Sequence, residues 1–441
     1  MKKHVWTGLF ILLTAMPLVF PAPAQAKDKP RRGEAEEMLK NIASDVRDHY
    51  YDPKFHGIDW DAAVVKAQQK IAQSDSFTTD MFTIADLLNQ LGDSGLRFVP
   101  PPHPYSTDFG WHGDMIGDRC YVVGIRPGSD AEKKGLKTGD EVIAMNGRVL
   151  TRKNIRDISY VYFTLLGQTR EDLLVQGPTG AQRELKIDAK THSILIKYST
   201  LGTQRPLNFY RDEWMQDRRW ESRFVDLSSD ATVFKLGDFN FVPWIDSFGS
   251  RMHKRNALIL DLRYNGSGNV ATLKSLAGIF FDKKIEIGEQ VERKKSKPMM
   301  SEIEPDPFTG KLIVLVNGET SGAAEMFARL VQIEKRGVVI GDQTAGIADR
   351  IANVYRHYNT GLPYGVIVPK AQFNMSDHKS LDHIGVAPDE LILPTAADLA
   401  AGRDPVLAHA AAELGVDITP AKAGKLFPDM SWAESDLEIY K

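Results

Sequence analysis

Few segments of this 441-residue chain offer residues that could do chemistry. One is Asn265-Gly266-Ser267-Gly268, a glycine-rich loop that follows the apolar run Leu258 to Leu262. Backbone N–H groups in such a loop can hold a carbonyl oxygen as it gains negative charge, and they need no side chain to do so. Another is Thr320-Ser321-Gly322, between the apolar run Leu312 to Val316 and an amphipathic stretch from about Ala323 to Glu334. A hydroxyl there is either a nucleophile waiting for a base or a simple helix cap. Cys120 is the only cysteine, so the chain can form no internal disulfide. Inside an expected strand, Arg119 to Ile125, its thiol reads as a small buried hydrophobe rather than a nucleophile. His378 and His383 are poorly spaced for a metal, and no His-Glu-x-x-His helix is present. Glu302, Glu304 and Asp306 offer paired carboxylates for glycoside chemistry, but a solvated acidic loop explains them better. No Walker lysine loop or Gly-x-Gly-x-x-Gly opens a βα unit, so neither cofactor nor metal is expected.

The elements that must position these groups can be read from composition and periodicity. The chain is 42% hydrophobic and 26% charged, enough to bury a large core over two or three domains. A net charge of -3, with no basic run interleaved with aromatics, gives no reason to expect nucleic acid or an anionic membrane as partner. Residues 1–26 read as a signal peptide: Lys2 and Lys3, an apolar run from Val5 to Phe20, then Ala24-Gln25-Ala26. That implies an exported protein, periplasmic or secreted, without a membrane span after cleavage.

After a charged linker, apolar residues recur at helical spacing in three runs. They are Met38, Leu39, Ile42, Val46 and Tyr50; Trp60, Val64, Ala67 and Ile71; and Ile84, Leu87, Leu88 and Leu91, with Asp80 as cap of the third. Prolines 100–102 close this helical part. From about Tyr105 to Lys186 short strands alternate with turns such as Pro127-Gly128-Ser129 and Asn146-Gly147. The remainder alternates apolar strands and helices, with a right-handed βαβ crossover expected over 312–340 and one helical stretch over 395–414.

Three segments taken together resemble the S41 family of tail-specific, or carboxyl-terminal processing, serine peptidases. Cys120 to Gly147 is similar to the PDZ module of that family. Leu258 to Gly268 resembles its strand and oxyanion loop, in which Ser267 and Gly268 would supply the donors. Ile313 to Gly346 resembles its strand, nucleophile turn, helix and strand, and Leu381 to Asp389 a late family motif. The resemblance implies an N-terminal helical domain (33–100), a PDZ-like β module (103–190), a ClpP/crotonase-like α/β peptidase core (191–398) and a C-terminal helical tail (399–441). It further implies capture of protein or peptide C-termini. The peptide would lie along the sheet edge beside Tyr121, Val122 and Val123, its carboxylate against the loop Phe109-Gly110-Trp111. Phe109 and Trp111 could equally fill the module's core.

Carried over residue by residue, the catalytic positions are mostly substituted. The histidine of the family's Asp-Ser-His-Thr segment falls on Gly95, in Asp93-Ser94-Gly95-Leu96. The nucleophile, three residues before Glu325, falls on Gly322, with Ser321 one residue early. The lysine of the family's other branch falls on Ile347, and the orienting acid of the histidine branch on Asp382. His383 and His103 are the nearest spare imidazoles. Two readings follow: a peptidase homologue that binds C-termini in the cell envelope with impaired or lost catalysis, or an active endopeptidase using Ser321 with an atypical base.

Overall fold

The computed structural model describes residues 31–193, 222–237, 239, 252, 255–266, 268–347, 352–358 and 362–427. The expected signal peptide, Ser267 and the last fourteen residues of the expected tail lie outside the described residues.

Helices α1 (Arg32–His49), α2 (Trp60–Gln73) and α3 (Phe77–Asn89) form where apolar residues recur every three to four positions. Their stripes, including Met38, Ile42, Val46, Trp60, Ile71 and Leu88, close on one another in a single core. Asp59 caps α2 by accepting from the Ala62 amide. The cap of α3 is Ser76 rather than Asp80. Ser76 has extended backbone (φ −143, ψ 126) and accepts from the Thr79 amide. The Asp80 amide already bonds the Ser76 carbonyl, so Asp80 stands inside the helix, buried.

The short strand β1 (Arg97–Val99) leaves this lobe. A β module follows, made of β2 (Tyr105–Asp108), β3 (Trp111–Ile116), β4 (Arg119–Ile125), the turn of helix α4 (Asp130–Lys133), β5 (Glu141–Met145) and β6 (Arg148–Val149). Helix α5 (Ile155–Ser159) then runs on as a π-helical turn (Tyr160–Leu165), and β7 (Arg170–Gln176), β8 (Gln182–Asp188) and β9 (Lys190–Ser193) complete the module. The main sheet runs β3-β4-β5-β7-β8, with β6 on β5; β2 pairs separately with β9. Cys120, Val122, Val142, Leu173 and Val175 point into its core.

The last part contains β10 (Arg223–Asp226), β11 (Ala231–Lys235), β12 (Ala257–Asp261), helix α6 (Val270–Phe280), β13 (Glu286–Glu292), β14 (Ser296–Met300) and β15 (Lys311–Val316). Helix α7 (Ala323–Ile333), β16 (Val338–Gly341), β17 (Ala352–His357), β18 (Tyr364–Pro369), β19 (Ala371–Met375) and β20 (Glu390–Leu391) follow. Helices α8 (Ala396–Ala400), α9 (Pro405–Glu413) and α10 (Pro420–Ala423) end the described chain. The central sheet has order β10-β11-β12-β15-β16-β20 and is parallel except for β10. Its strands are apolar on both faces because both are covered. Leu260 and Val314 pack with Phe327 of α7 on one face, and Ile259, Ile313 and Ile340 meet Leu407 and Ala411 of α9 on the other.

Two expectations about domain limits change here. Strand β1 pairs antiparallel with β18, and Tyr364, Val366 and Val368 join the core of α1 to α3, so the helical lobe is completed by late strands. Of the expected helical tail, the described residues 405–423 pack as a layer on the core, and the expected single helix over 395–414 breaks at Gly402 to Asp404, where Asp404 caps α9.

Candidate active site

The turn between β15 and α7 is stitched down by side chains that compete for its backbone. Asn317 accepts from the Tyr264 amide, and the Thr320 hydroxyl donates to the Leu262 carbonyl while accepting from the Asn317 amide. The Ser321 amide donates to the Asn265 carbonyl at 2.9 Å, which ties the turn to the glycine-rich loop. Gly322 is the N-cap of α7 and has φ +64, ψ −129, a conformation that costs an L residue strain. A sharp, strained strand-to-helix turn is the geometry that lifts a nucleophile clear of a sheet in α/β-hydrolases. Here the residue in that conformation has no side chain. A Cβ built on it would touch nothing within 4 Å. Ser321, next to it, is buried.

Gly268 packs directly against this turn. A Cβ on it would stand 2.6 Å from the Ala323 Cβ and 2.7 Å from that of Phe239, so only glycine lets the loop approach α7. Glu325, in the first turn of α7, is fully buried and gathers the next loop. Its carboxyl accepts from the Thr344 hydroxyl (2.5 Å), the Gly346 amide (2.5 Å), the Ile347 amide (2.9 Å) and the Gly322 amide (3.3 Å). Burial pushes that carboxyl above the ordinary range, against these hydrogen bonds and the charge of Arg156. Ile347 is buried, so the position carries an apolar side chain as well as a bonded amide.

The segment after α3 meets the segment 380–386. Ser94 donates to the Asp382 carboxylate, and the Asp93 carboxyl accepts from the Tyr50 hydroxyl and from the Gly95 amide, both at 2.8 Å. Burial raises the Asp93 pKa, and the charge of Asp382 adds to the rise. His383 sets Nε2 3.0 Å from the Gly92 carbonyl oxygen and 3.5 Å from Asp382. Its amide donates to the Gly346 carbonyl, so the 381–385 loop is bound to the loop that Glu325 holds. The two halves carried by Gly95 and Asp382, and by Gly322 and Gly268, are thereby linked through Gly346.

Other sequence candidates fall elsewhere. His103 stands against the Thr164 carbonyl and over Gly167, beside the π-helical turn, where burial lowers its pKa. Phe109 fills the module's core and lies 5.5 Å from Phe163, centroid to centroid. Gly110 sits so close to Ser129 that a Cβ would be 2.3 Å from the serine Cβ, and its amide is held by Asp108. The sheet edge expected beside Tyr121, Val122 and Val123 is not an edge. β4 pairs with β3 along its length, and on its other side meets β5 and the Gly139–Asp140 turn. Among the described residues the outer strands of this sheet are β3, which follows Phe109-Gly110, and β8. Among the described residues no group of three His, Cys, Asp or Glu could hold a metal, and no helix is long and apolar enough to cross a membrane.

What local sequence did not reveal is the binding of these loops to one another. Asn317 gave no motif signal, and Arg152 of the β module bonds Asp342 at 2.5 Å and the Gln343 carbonyl at 2.8 Å. A buried glutamate at the third position of an apolar helix was the one hint, because buried acids need partners.

Comparison with known proteins agrees with this arrangement. Residues 233–392 match Peptidase family S41, and residues 31–74 match the Tricorn protease C1 domain. Carboxyl-terminal-processing peptidase 1 of Arabidopsis thaliana is 25% identical over 82% of this chain and 71% of its own. The carboxyl-terminal-processing protease of Picosynechococcus is 23% identical over 89% of this chain and 91% of its own. The crystal structure of mature CPAF superposes with TM-score 0.62 at 16% identity, over 84% of this chain and 94% of that one, a likeness of fold. This chain carries a segment, residues 233–392, that matches peptidase family S41, and the relatives it resembles are named for carboxyl-terminal processing.

Proposed function

We propose that this protein captures the C-termini of proteins or peptides in the cell envelope, in a cleft of the S41 peptidase type that no longer cuts. The observation that carries the proposal is a coincidence of two glycines. Gly322 occupies the strained turn at the head of α7, and Gly95 follows Ser94, which bonds Asp382. Each stands where a peptidase of this family would need a reactive side chain, and neither can donate or accept a proton through one. The oxyanion loop needs backbone alone, so a carbonyl-binding cleft survives their loss.

Capture is assigned to the β module, read as PDZ-like. A peptide would add as a strand to the edge of β3, with its terminal carboxylate at Phe109-Gly110-Trp111. The short helix–turn pattern of Cys120 to Gly147 and the outermost place of β3 among the described strands support this reading. Export rests on the leader-like residues 1–26.

Cleavage of an unstructured protein with an apolar C-terminus tests the proposal, comparing wild type, Ser321→Ala and the double variant Gly95→His with Gly322→Ser. The expected result is an inert wild type that binds the peptide, and turnover in the double variant. Turnover by wild type that disappears in Ser321→Ala overturns it and makes Ser321 the nucleophile.

A further inference from the structure

A cavity of about 240 Å³ opens between the helical lobe and the strands that complete it. Tyr51, His56, Asp93, Pro369, Gln372 and Asp382 form most of its wall. Gly95 stands beside it: a Cβ there would be 3.0 Å from Pro369 Cγ and 3.2 Å from Asp93 Oδ1, atoms of two residues that line the cavity.

The wall is polar and acidic in a specific way. Its two carboxyl groups come from different elements, Asp93 from the turn after α3 and Asp382 from the late loop. Each is held by a hydroxyl, Tyr50 on Asp93 and Ser94 on Asp382, so neither is free to swing away. The His56 ring is fixed as well, with Nδ1 2.8 Å from the Leu91 carbonyl oxygen and Nε2 2.8 Å from the Tyr51 hydroxyl. A carbonyl only accepts, so Nδ1 donates to Leu91 and the ring presents no N–H to the cavity. The space therefore offers two carboxyl groups as acceptors, with Tyr51 also in its wall.

We propose that this cavity receives a guanidinium group, carried by an arginine side chain of the captured polypeptide. A planar fork of N–H donors can bond two carboxylates at once and lie against an aromatic ring, whereas an ammonium cannot do both. A cation placed there also relieves the repulsion that Asp382 exerts on Asp93. The identity of the ligand rests on the capture reading; the cavity's preference for guanidinium does not.

Titration of the whole chain with methylguanidinium, methylammonium and imidazole, followed by calorimetry or by the Gly95 amide resonance, tests it. Methylguanidinium should bind saturably, and methylammonium and imidazole about tenfold more weakly. Asp382→Asn, which keeps an oxygen for Ser94 but removes the charge, should weaken methylguanidinium about tenfold. Gly95→Leu should fill the cavity and abolish binding, with an unchanged melting curve as control. If wild type does not saturate with methylguanidinium, or if Asp382→Asn binds it as well as wild type does, the proposal is wrong. Methylguanidinium binding without binding of C-terminal peptides would leave the cavity standing and remove the capture reading; the converse would remove only the cavity.

Discussion

Ser94 donates its hydroxyl to the Asp382 carboxylate, joining residues 288 positions apart in the chain. The bond fastens the turn after α3 to the loop before β20, both of which line the cavity beside Gly95. A hydrogen bond to a charged, partly buried acceptor contributes about 1.5–3 kcal/mol. Ser94→Ala should therefore lower the unfolding free energy by about that amount, read from the urea midpoint at unchanged slope. An unchanged midpoint would mean the contact adds nothing to folding.

Glu325 should be the more expensive residue to lose. Glu325→Ala would leave the Gly346 and Ile347 amides and the Thr344 hydroxyl unbonded inside the protein, each a desolvated group without its partner. At about 1–3 kcal/mol for each, the variant should unfold far more readily than wild type, or fail to fold. Glu325→Gln keeps an oxygen acceptor for part of the network and should fall between the two. Hydrogen exchange at Gly346 and Ile347 gives the local readout: protection should collapse in the alanine variant if Glu325 is what holds that loop.

How far the sequence disclosed this arrangement depended on whether the signal was local. Apolar spacing gave α1 to α3, and unbroken apolar runs gave β12, β15 and β16, because burial on a helix stripe or on both faces of a sheet leaves a periodic trace. The cap of α3 was misjudged since Ser76 and Asp80 both have capping side chains, and only backbone geometry separates them. The pairing of β1 with β18 leaves no periodic trace, since three residues are too few to show an alternation. The outer strand, expected at Tyr121 to Val123, was misplaced by one for a similar reason. Both β3 and β4 have strand texture, and which of them is outermost is a property of the sheet order. Glu325 was legible as a landmark, but not the four donors it collects.

Glu171 makes stability depend on pH. It is buried in the β module, and burial pushes its carboxyl up to about 8 from an ordinary 4.5. Between those values the folded protein holds a proton that the unfolded chain has released, so stability is full below about 4.5 and is lost as pH rises through about 8. The slope is at most about 1.4 kcal/mol per pH unit. Glu171→Gln should remove that slope and be more stable than wild type at mildly alkaline pH, as measured by urea unfolding across the window. A wild-type profile as flat as the variant's would show that the carboxyl is not held neutral.

Cys120 should be chemically silent while the protein is folded. Its thiol is buried and burial pushes it up to about 12, so almost no thiolate exists at neutral pH. Iodoacetamide should label it at a rate limited by opening of the β module, rising sharply in urea. Rapid labelling of the native protein at neutral pH would show an exposed, ionised thiol instead.

The two site glycines should respond to alanine in opposite ways. Gly322 has φ +64 and free space around its missing Cβ, so Gly322→Ala is penalised only through the backbone, by about 1–2 kcal/mol. Gly95 has no left-handed φ, but its Cβ would press on Pro369 Cγ at 3.0 Å, a contact that a proline ring beside a cavity can relieve by a small shift. Gly95→Ala should therefore be close to neutral, and it even gains from restricting the unfolded chain by about 0.4–1 kcal/mol. The urea midpoints of the two variants give the comparison. If Gly95→Ala were the more damaging, the wall at Pro369 would be rigid, and a side chain at position 95 could not be restored without rebuilding the strand that carries it.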